Sequence, residues 1–492
     1  MEKPSNTYFR ITGLCAIFLK GERNLSADGG KAELLEDTIA AISTPLGEGG
    51  IGIIRISGPE AIQVASRVFK PKRGTSLEGT DSHRVRLGLA LDPKTREVLD
   101  EVLALVMRAP RSYTAEDVVE LHCHGGPLAC ARVLEAVLKA GARLAEPGEF
   151  TRRAYLNGRL DLAQAEAVLN IIRARSRAGL SAAVNQLEGS LSRKVKEIKD
   201  EVVGVLASVE ASIDFPEEVG EPGSEVRERL EKVREALTRL LSTWEEGKIL
   251  SQGIKIALVG RPNVGKSSLL NALLKEERAI VSDIPGTTRD TIKESLQLGG
   301  FPCELVDTAG WREAAEGLEK IGIARSRAAA KAADLVLLVI DLTAGVTGED
   351  IEIKKNLEDK PLVIVGNKVD AVSRVDPAPL KELAGSRPWV VVSAKTGEGL
   401  EDLGNKVRDL ILSGQALRSP DEPLLLRERH KVALERALEH VEDALAGWGE
   451  GLPWDLVSID LRGAWEALGE ITGETAREEL LDRIFSEFCL GK

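Results

Sequence analysis

Beyond residue 37 short apolar runs alternate with turn residues, and after residue 160 long apolar stripes of helical period replace them. Runs at 39–42, 51–56, 85–90, 102–107 and 118–122 predict strands, while 59–68 and 126–138 predict helices, together an α+β domain over 37–154. From 161 to 213 the period is helical and almost continuous. DFPEEVGEPGS then interrupts it, 227–244 resumes it, and 427–448 and 461–488 are helical again. Amphipathic helices must bury their apolar faces, so these stretches predict one bundle assembled from both sides of an insertion. The insertion places apolar runs at 254–259, 302–306, 361–365 and 389–392 before turn or helical sequence, which predicts an α/β domain. The expected fold is therefore multidomain: an α+β N-terminal domain, a discontinuous α-helical bundle (155–250 and 413–492), and an inserted α/β domain (251–412). Residues 1–36 carry an apolar patch at 14–19 followed by basic and Gly-rich sequence, without a secretory cleavage pattern. They read as a disordered extension outside the fold, or as the product of a start codon set too far upstream.

Composition narrows the class. At 492 residues, with 43% hydrophobic and 29% charged, the chain has the make-up of globular domains with sizeable cores. No uncharged apolar run is long enough to span a bilayer, so no membrane insertion is expected. Cys15, Cys123, Cys130, Cys303 and Cys489 form no CxxC pair or metal-finger spacing, and free thiols in a reducing, cytoplasmic compartment are the simpler reading. A net charge of -12 argues against indiscriminate coating of nucleic acid. One basic stretch stands out: Arg152, Arg153, Arg159, Arg173, Arg175, Arg177, Arg193, Lys194, Lys196 and Lys199. It is either a local nucleic-acid face or a set of helix faces paired with carboxylates. Strand alternation puts His122 and His124 of HCHGG on one face, but the sequence offers no clear third metal ligand. That loop supplies backbone N–H groups for an anion, or is a turn requiring positive φ.

The specific chemistry lies in the insertion. GRPNVGKS, residues 260–267, has the spacing of a phosphate loop, follows a predicted strand and opens helical sequence. In that setting backbone N–H groups of Asn263, Val264, Gly265, Lys266, Ser267 and Ser268 surround phosphates, the Lys266 ammonium reaches the β/γ-phosphates, and the Ser267 hydroxyl suits Mg²⁺. Asp307, Thr308, Ala309 and Gly310 (DTAG) follow the next run, placing a carboxylate for water-mediated Mg²⁺ contact and a Gly310 N–H for the γ-phosphate. In NKVD, Asn367, Lys368 and Asp370 suit guanine, because the Asp370 carboxylate accepts from N1–H and N2–H₂ together, a pair adenine lacks. Ser393, Ala394 and Lys395 offer a backbone N–H to guanine O6. GTTRD places Thr287 and Thr288 where a threonine hydroxyl and carbonyl can meet Mg²⁺. The water-orienting glutamine that follows DTAG in Ras-type sites is here Trp311, so hydrolysis needs another water-positioner and another source of positive charge.

With these motifs in order, the chain resembles the MnmE (TrmE) family of tRNA-modification GTPases. The resemblance runs from about residue 37 to the terminus through DTIAAISTPLGEGGIGIIRISG, HCHGGP, PGEFTRRAYLNGRLDLAQAEA, GRPNVGKS, GTTRDTIKE, DTAGWRE and the terminal FCLGK, where the family more often has isoleucine in place of Leu490. It implies a folate-binding and dimerising N-terminal domain, a helical domain and an inserted Ras-like G domain. It further implies K⁺ held by Asn263 and by the loop 279–285, with Ser282, Ile284 and Thr287 among the K⁺ ligands, with Mg²⁺ on Ser267 and Thr288, and G domains that meet across a homodimer. Glu319 would act on the attacking water through a second water, and Cys489 would serve tRNA modification but not GTP hydrolysis. A 5-formyltetrahydrofolate or related one-carbon donor would lie near Arg55, Glu120 and Arg159. The partner MnmG would contribute FAD and NADH chemistry to a carboxymethylaminomethyl or aminomethyl group at C5 of the wobble uridine. A ribosome-assembly GTPase would share the nucleotide motifs but calls for an RNA-binding module such as KH. A nucleotide-gated scaffold would hydrolyse GTP too slowly to matter, which Asn263 and Glu319 argue against.

Overall fold

The computed structural model describes residues 37–74, 76–276, 295–306, 331–357, 360–374, 376–411 and 422–492, which divide into two compact units. The first comprises residues up to Arg153 together with Cys489–Lys492. Its sheet is formed by β1 (Ile39–Ile42), β2 (Gly49–Ser57), β3 (Phe69–Pro71), β4 (Arg84–Leu91), β5 (Val98–Met107), β6 (Val118–Gly125) and β7 (Arg143–Leu144) in the order β3-β4-β5-β6-β2-β1-β7. All pairs are antiparallel except β1 with β7. Helices α1 (Ala61–Val68) and α2 (Pro127–Lys139) share one core with the sheet, through Val64, Val68, Val133 and Val137 against Ile54, Ile56, Ala104 and Leu121. The edge strands β3 and β7 are only three and two residues long, too short for a periodic signal, and had not been expected from the sequence. Helix α3 (Glu149–Leu156) leads out of this unit.

In the second unit the stretch expected as one long helical run is three helices, α4 (Leu162–Arg173), α5 (Arg177–Leu187) and α6 (Ser190–Asp214). Local chemistry makes the breaks. Ser176 caps α5 by accepting from the Gly179 N–H at 3.0 Å, and Gly189, at φ 85°, turns the chain into α6. Asp161 and Gln164 form a reciprocal capping box at the start of α4. Next come α7 (Pro216–Val219), α8 (Ser224–Leu241) and α9 (Trp244–Gln252). After the second sheet the chain returns to helices α14 (Glu428–Glu450), α15 (Trp454–Thr472) and α16 (Glu478–Ser486), Gly473 at φ 93° splitting what was expected as one C-terminal helix. Val195, Val202, Val209, Leu230, Leu237, Leu434, Val441, Leu461 and Leu468 form a single buried cluster, so helices from both sides of the inserted sequence share one core.

Between them, β8 (Ile254–Val259), α10 (Lys266–Glu276), β9 (Ser295–Leu298), β10 (Phe301–Leu305), β11 (Leu335–Asp341), α11 (Gly348–Lys355), β12 (Leu362–Asn367), α12 (Ala378–Ala384), β13 (Trp389–Val391) and α13 (Leu400–Ile411) build a six-stranded sheet ordered β13-β12-β11-β8-β10-β9. It is parallel apart from the β9–β10 pair. Apolar side chains bury both faces, and the carboxyl ends of β8, β11, β12 and β13 all lead into loops on one edge, where open α/β sheets bind ligands. Among the described residues no helix is long and apolar enough to cross a membrane.

Candidate nucleotide-binding site

The phosphate loop joins β8 to α10 and is held in a conformation with three positive φ angles: Gly260 at 150°, Asn263 at 62° and Gly265 at 93°. Gly265 is required sterically as well, because a Cβ there would run into the Asn367 side-chain amide. That amide links three loops. Asn367 is buried, its Nδ2 donates to the Val264 carbonyl at 3.0 Å, and its Oδ1 accepts from the Ala394 N–H at 3.1 Å. Lys368, at φ 69°, donates from Nζ to the Asn263 carbonyl at 2.8 Å. Buried Ser393 donates to Asp370 Oδ1 at 2.7 Å and accepts from the Thr396 N–H at 3.1 Å, which fixes the exposed Asp370 carboxylate beside the turn that carries Lys395. The phosphate-loop, NKVD and SAK segments thus converge on one place.

Lys266, the first residue of α10, folds its ammonium back onto the loop, donating to the Gly260 carbonyl at 2.8 Å and the Arg261 carbonyl at 2.6 Å. Burial pushes its pKa down to about 8. Arg261 Nε donates to Asp350 Oδ1 at 2.9 Å, and the other oxygen of that fully buried carboxylate accepts from the Thr347 N–H, so the loop is tied to the start of α11. A glycine-rich turn leading into a helix N-terminus, with a partly desolvated ammonium beside it, suits a polyphosphate.

A separate cluster lies in the first unit. Arg55 on β2 faces Glu120 on β6 across the ladder, its Nε donating to Glu120 Oε1 at 2.9 Å. Its guanidinium lies 5.0 Å from the Tyr113 ring centroid and 5.6 Å from that of Phe150. His122 Nε2 lies 3.3 Å from the other Glu120 oxygen, while His124 Nδ1 pairs with Asp100 Oδ1 at 2.7 Å. The final residues of the chain join this cluster: the Gly491 carbonyl accepts from Ser43 Oγ at 3.1 Å and Arg55 Nη1 at 3.4 Å, and Lys492 Nζ stands 5.8 Å from the Tyr113 centroid. Burial first, and then the Arg55 charge, lowers the Lys492 pKa. Cys489 is exposed. Gly491, at φ 89°, allows the close approach, since a Cβ would collide with the Ile42 carbonyl.

A family profile described as "GTP-binding protein TrmE N-terminus" matches residues 38–159, and one described as "MnmE helical domain" matches residues 162–489. A protein of Moorella thermoacetica named "tRNA modification GTPase MnmE" is 60% identical over 93% of this chain and all of its own length. The chain belongs to the MnmE (TrmE) family. Proteins of the same name from Heliobacterium modesticaldum and Geobacillus kaustophilus are 49% and 48% identical, each over 93% of this chain and at least 99% of its own.

Of the residues expected to serve this family's chemistry, Asn263, Val264, Gly265, Lys266, Asn367, Lys368, Asp370, Ser393, Ala394 and Lys395 are gathered at the loop edge, with Ser267 and Ser268 exposed in the first turn of α10. Ser282, Ile284, Thr287, Thr288, Asp307, Thr308, Ala309, Gly310 and Glu319 lie outside the described residues. Arg55 and Glu120 pair directly, whereas Arg159 belongs to the second unit, on an exposed turn after α3. Two participants were missed in the sequence. Lys492 had no local pattern to mark it beyond the FCLGK ending. Asp341, 2.6 Å from Lys368 Nζ, closes the run LVLLVID, and an acidic residue ending a fully apolar strand was the available signal.

Proposed function

We propose that this GTP hydrolase of the MnmE family runs a K⁺-stimulated, dimer-activated guanine-nucleotide cycle coupled to modification of C5 of the wobble uridine in tRNA. The observation that carries the nucleotide part is the bridging of Asn367 between the Val264 carbonyl and the Ala394 N–H, which joins the phosphate-recognition loop to the two loops suited to guanine. Lys266 serves the β/γ-phosphates, Ser267 and Thr288 serve Mg²⁺, and Asp370 reads the base. Asn263, Ser282, Ile284 and Thr287 hold K⁺, which when bound supplies positive charge to the transition state in place of an arginine finger. Glu319 orders the attacking water through a second water.

Family membership and the first-unit cluster support the remaining assignments. Arg55 and Glu120 receive the tetrahydrofolate donor. The cationic Arg55 and Lys492 beside the Tyr113 ring suit a planar ligand that carries carboxylates. Cys489 acts in the modification step, with MnmG supplying FAD and NADH. The working arrangement is three domains, 37–154, 155–250 with 413–492, and 251–412, in a homodimer. The K⁺ assignment predicts faster GTP turnover in KCl than in NaCl at matched ionic strength, by at least about tenfold against the 10³–10⁵ that an arginine finger provides. Equal turnover in the two salts would remove Asn263 from the catalytic account.

A further inference from the structure

Strand β11 ends at Asp341, directly beside Asn367 in the parallel register with β12. Both carboxylate oxygens of Asp341 are committed. Oδ1 accepts from the Thr343 N–H at 2.9 Å and the Thr343 hydroxyl at 2.7 Å, and Oδ2 accepts from Lys368 Nζ at 2.6 Å. The same Lys368 nitrogen reaches the Asn263 carbonyl at 2.8 Å. The lysine spans two partners, one an anion fixed at a strand end and the other a backbone carbonyl of the phosphate loop.

We infer that Asp341 is a positioning residue for the nucleotide site, holding Lys368 against the Asn263 carbonyl and thereby holding the phosphate loop in its binding conformation. Its effect passes through an ammonium whose direction it sets, and three features make that direction matter.

First, Lys368 sits at φ 69°, a backbone region that a β-carbon disfavours, so its conformation has to be held by the contacts its side chain makes. Second, Asn263 is also in the left-handed region, at φ 62°, and its peptide carbonyl is fixed by a lysine rather than by a strand ladder. Third, the carboxylate is 13% exposed and the lysine 35%, so the pair lies where solvent screens it less than on an open surface. Burial alone would raise the Asp341 pKa, yet the Lys368 hydrogen bond and the two Thr343 bonds hold it below the ordinary carboxylate value. The charged form is the one the site maintains.

Asn367 secures the Val264 carbonyl, and the Asp341–Lys368 pair secures the Asn263 carbonyl one residue earlier. Two consecutive peptide units of the phosphate loop are thus fixed from β12. Only one of these two ties depends on a residue of β11. Removing the Asp341 charge should leave the Asn367 tie in place and loosen the other.

The inference rests on the nucleotide reading of this loop, and the test separates the two. Fluorescently labelled GDP is bound to the full-length chain and its release is followed by stopped flow for the unaltered protein, Asp341→Asn, Lys368→Met and the double variant. Asp341→Asn should speed release about tenfold, the loss of one charge-assisted hydrogen bond. In the Lys368→Met background the same substitution should change release by less than about twofold, because its route to the loop is gone. Asp341→Glu, which retains the charge, should release GDP more slowly than Asp341→Asn and also guards against a folding defect peculiar to the amide. An equal acceleration in both backgrounds would mean that Asp341 acts through the Thr343 turn alone, and unchanged release in Asp341→Asn would equally overturn the inference. Failure of the unaltered chain to bind labelled GDP would refute the nucleotide reading itself, and the positioning role with it.

Discussion

Lys266→Ala is expected to lower GTP turnover by a factor of about 10²–10³ or more, the scale seen when a charged or oriented donor is removed from a developing anion. The loop carbonyls of Gly260 and Arg261 hold the ammonium beside the phosphate-binding N–H groups, so it need not be recruited from solvent when nucleotide arrives. Its burial has a second consequence. With its pKa lowered to about 8, Lys266 is only partly charged in the unliganded protein at pH 8, and a bound polyphosphate favours the charged form. Nucleotide binding should therefore make Lys266 take up protons near pH 8, whereas near pH 6.5, where the ammonium is already charged, Lys266 should contribute none. Calorimetry in buffers of different ionisation enthalpy reads that uptake, and Lys266→Ala should abolish it. Phosphate release assays on the same variant read turnover, and activity within a factor of about two of the unaltered chain would rule out the assigned role.

Glu166→Ala should destabilise the helical core by about 3–5 kcal/mol, because it strands the buried His430 and removes the only carboxylate on the partly buried Arg429 guanidinium among the described residues. Glu166 on α4 accepts from Arg429 at 3.2 and 2.8 Å and meets His430 Nε2 at 2.7 Å. Arg429 also donates to the Ile471 carbonyl, at 3.2 Å, so one carboxylate pins α4, α14 and α15 together. His430 is completely buried, and its Nδ1 has no hydrogen-bond partner among the described residues, so a proton placed there would be a buried donor without an acceptor. Burial accordingly lowers the His430 pKa despite the neighbouring carboxylate. Burial would raise the Glu166 pKa, but His430 and Arg429 drive it well below the usual carboxylate range. Both shifts have the same sign. Below about pH 6.5 the unfolded chain takes up a histidine proton that the native protein does not, and below about pH 4.3 a carboxylate proton as well, so stability falls with acidification. The check is denaturant unfolding followed by far-UV circular dichroism at pH 7.5 and 5.5. A loss under about 1 kcal/mol for Glu166→Ala would show that the cluster does not hold the bundle.

The nucleotide loops could be read from the sequence because each motif follows its own apolar run, so the order GRPNVGKS, NKVD, SAK already implied strand ends on one edge. Strand β11 escaped because its six leading residues are all buried, and a parallel strand covered on both faces has no alternation to distinguish it from a core helix. Asp341 was lost with it. The helical period was legible over residues 161–213, but its two breaks depend on a Ser176 cap and on the left-handed Gly189, signals that a strong apolar stripe obscures. Glu166 and His430 lie 264 positions apart in the chain, so no local pattern could pair them. The same holds for the contact of Gly491 with Ser43, which brings Lys492 to the Arg55 cluster.

The most direct test of the whole account is reconstitution of the full chain with MnmG, a tetrahydrofolate donor, GTP, K⁺ and tRNA, followed by nucleoside analysis. The account predicts a C5-modified wobble uridine that requires GTP, and its loss in Cys489→Ser while GTP hydrolysis continues unchanged. Steady GTP hydrolysis by the unaltered chain with no modified nucleoside, or normal modification by Cys489→Ser, would contradict it.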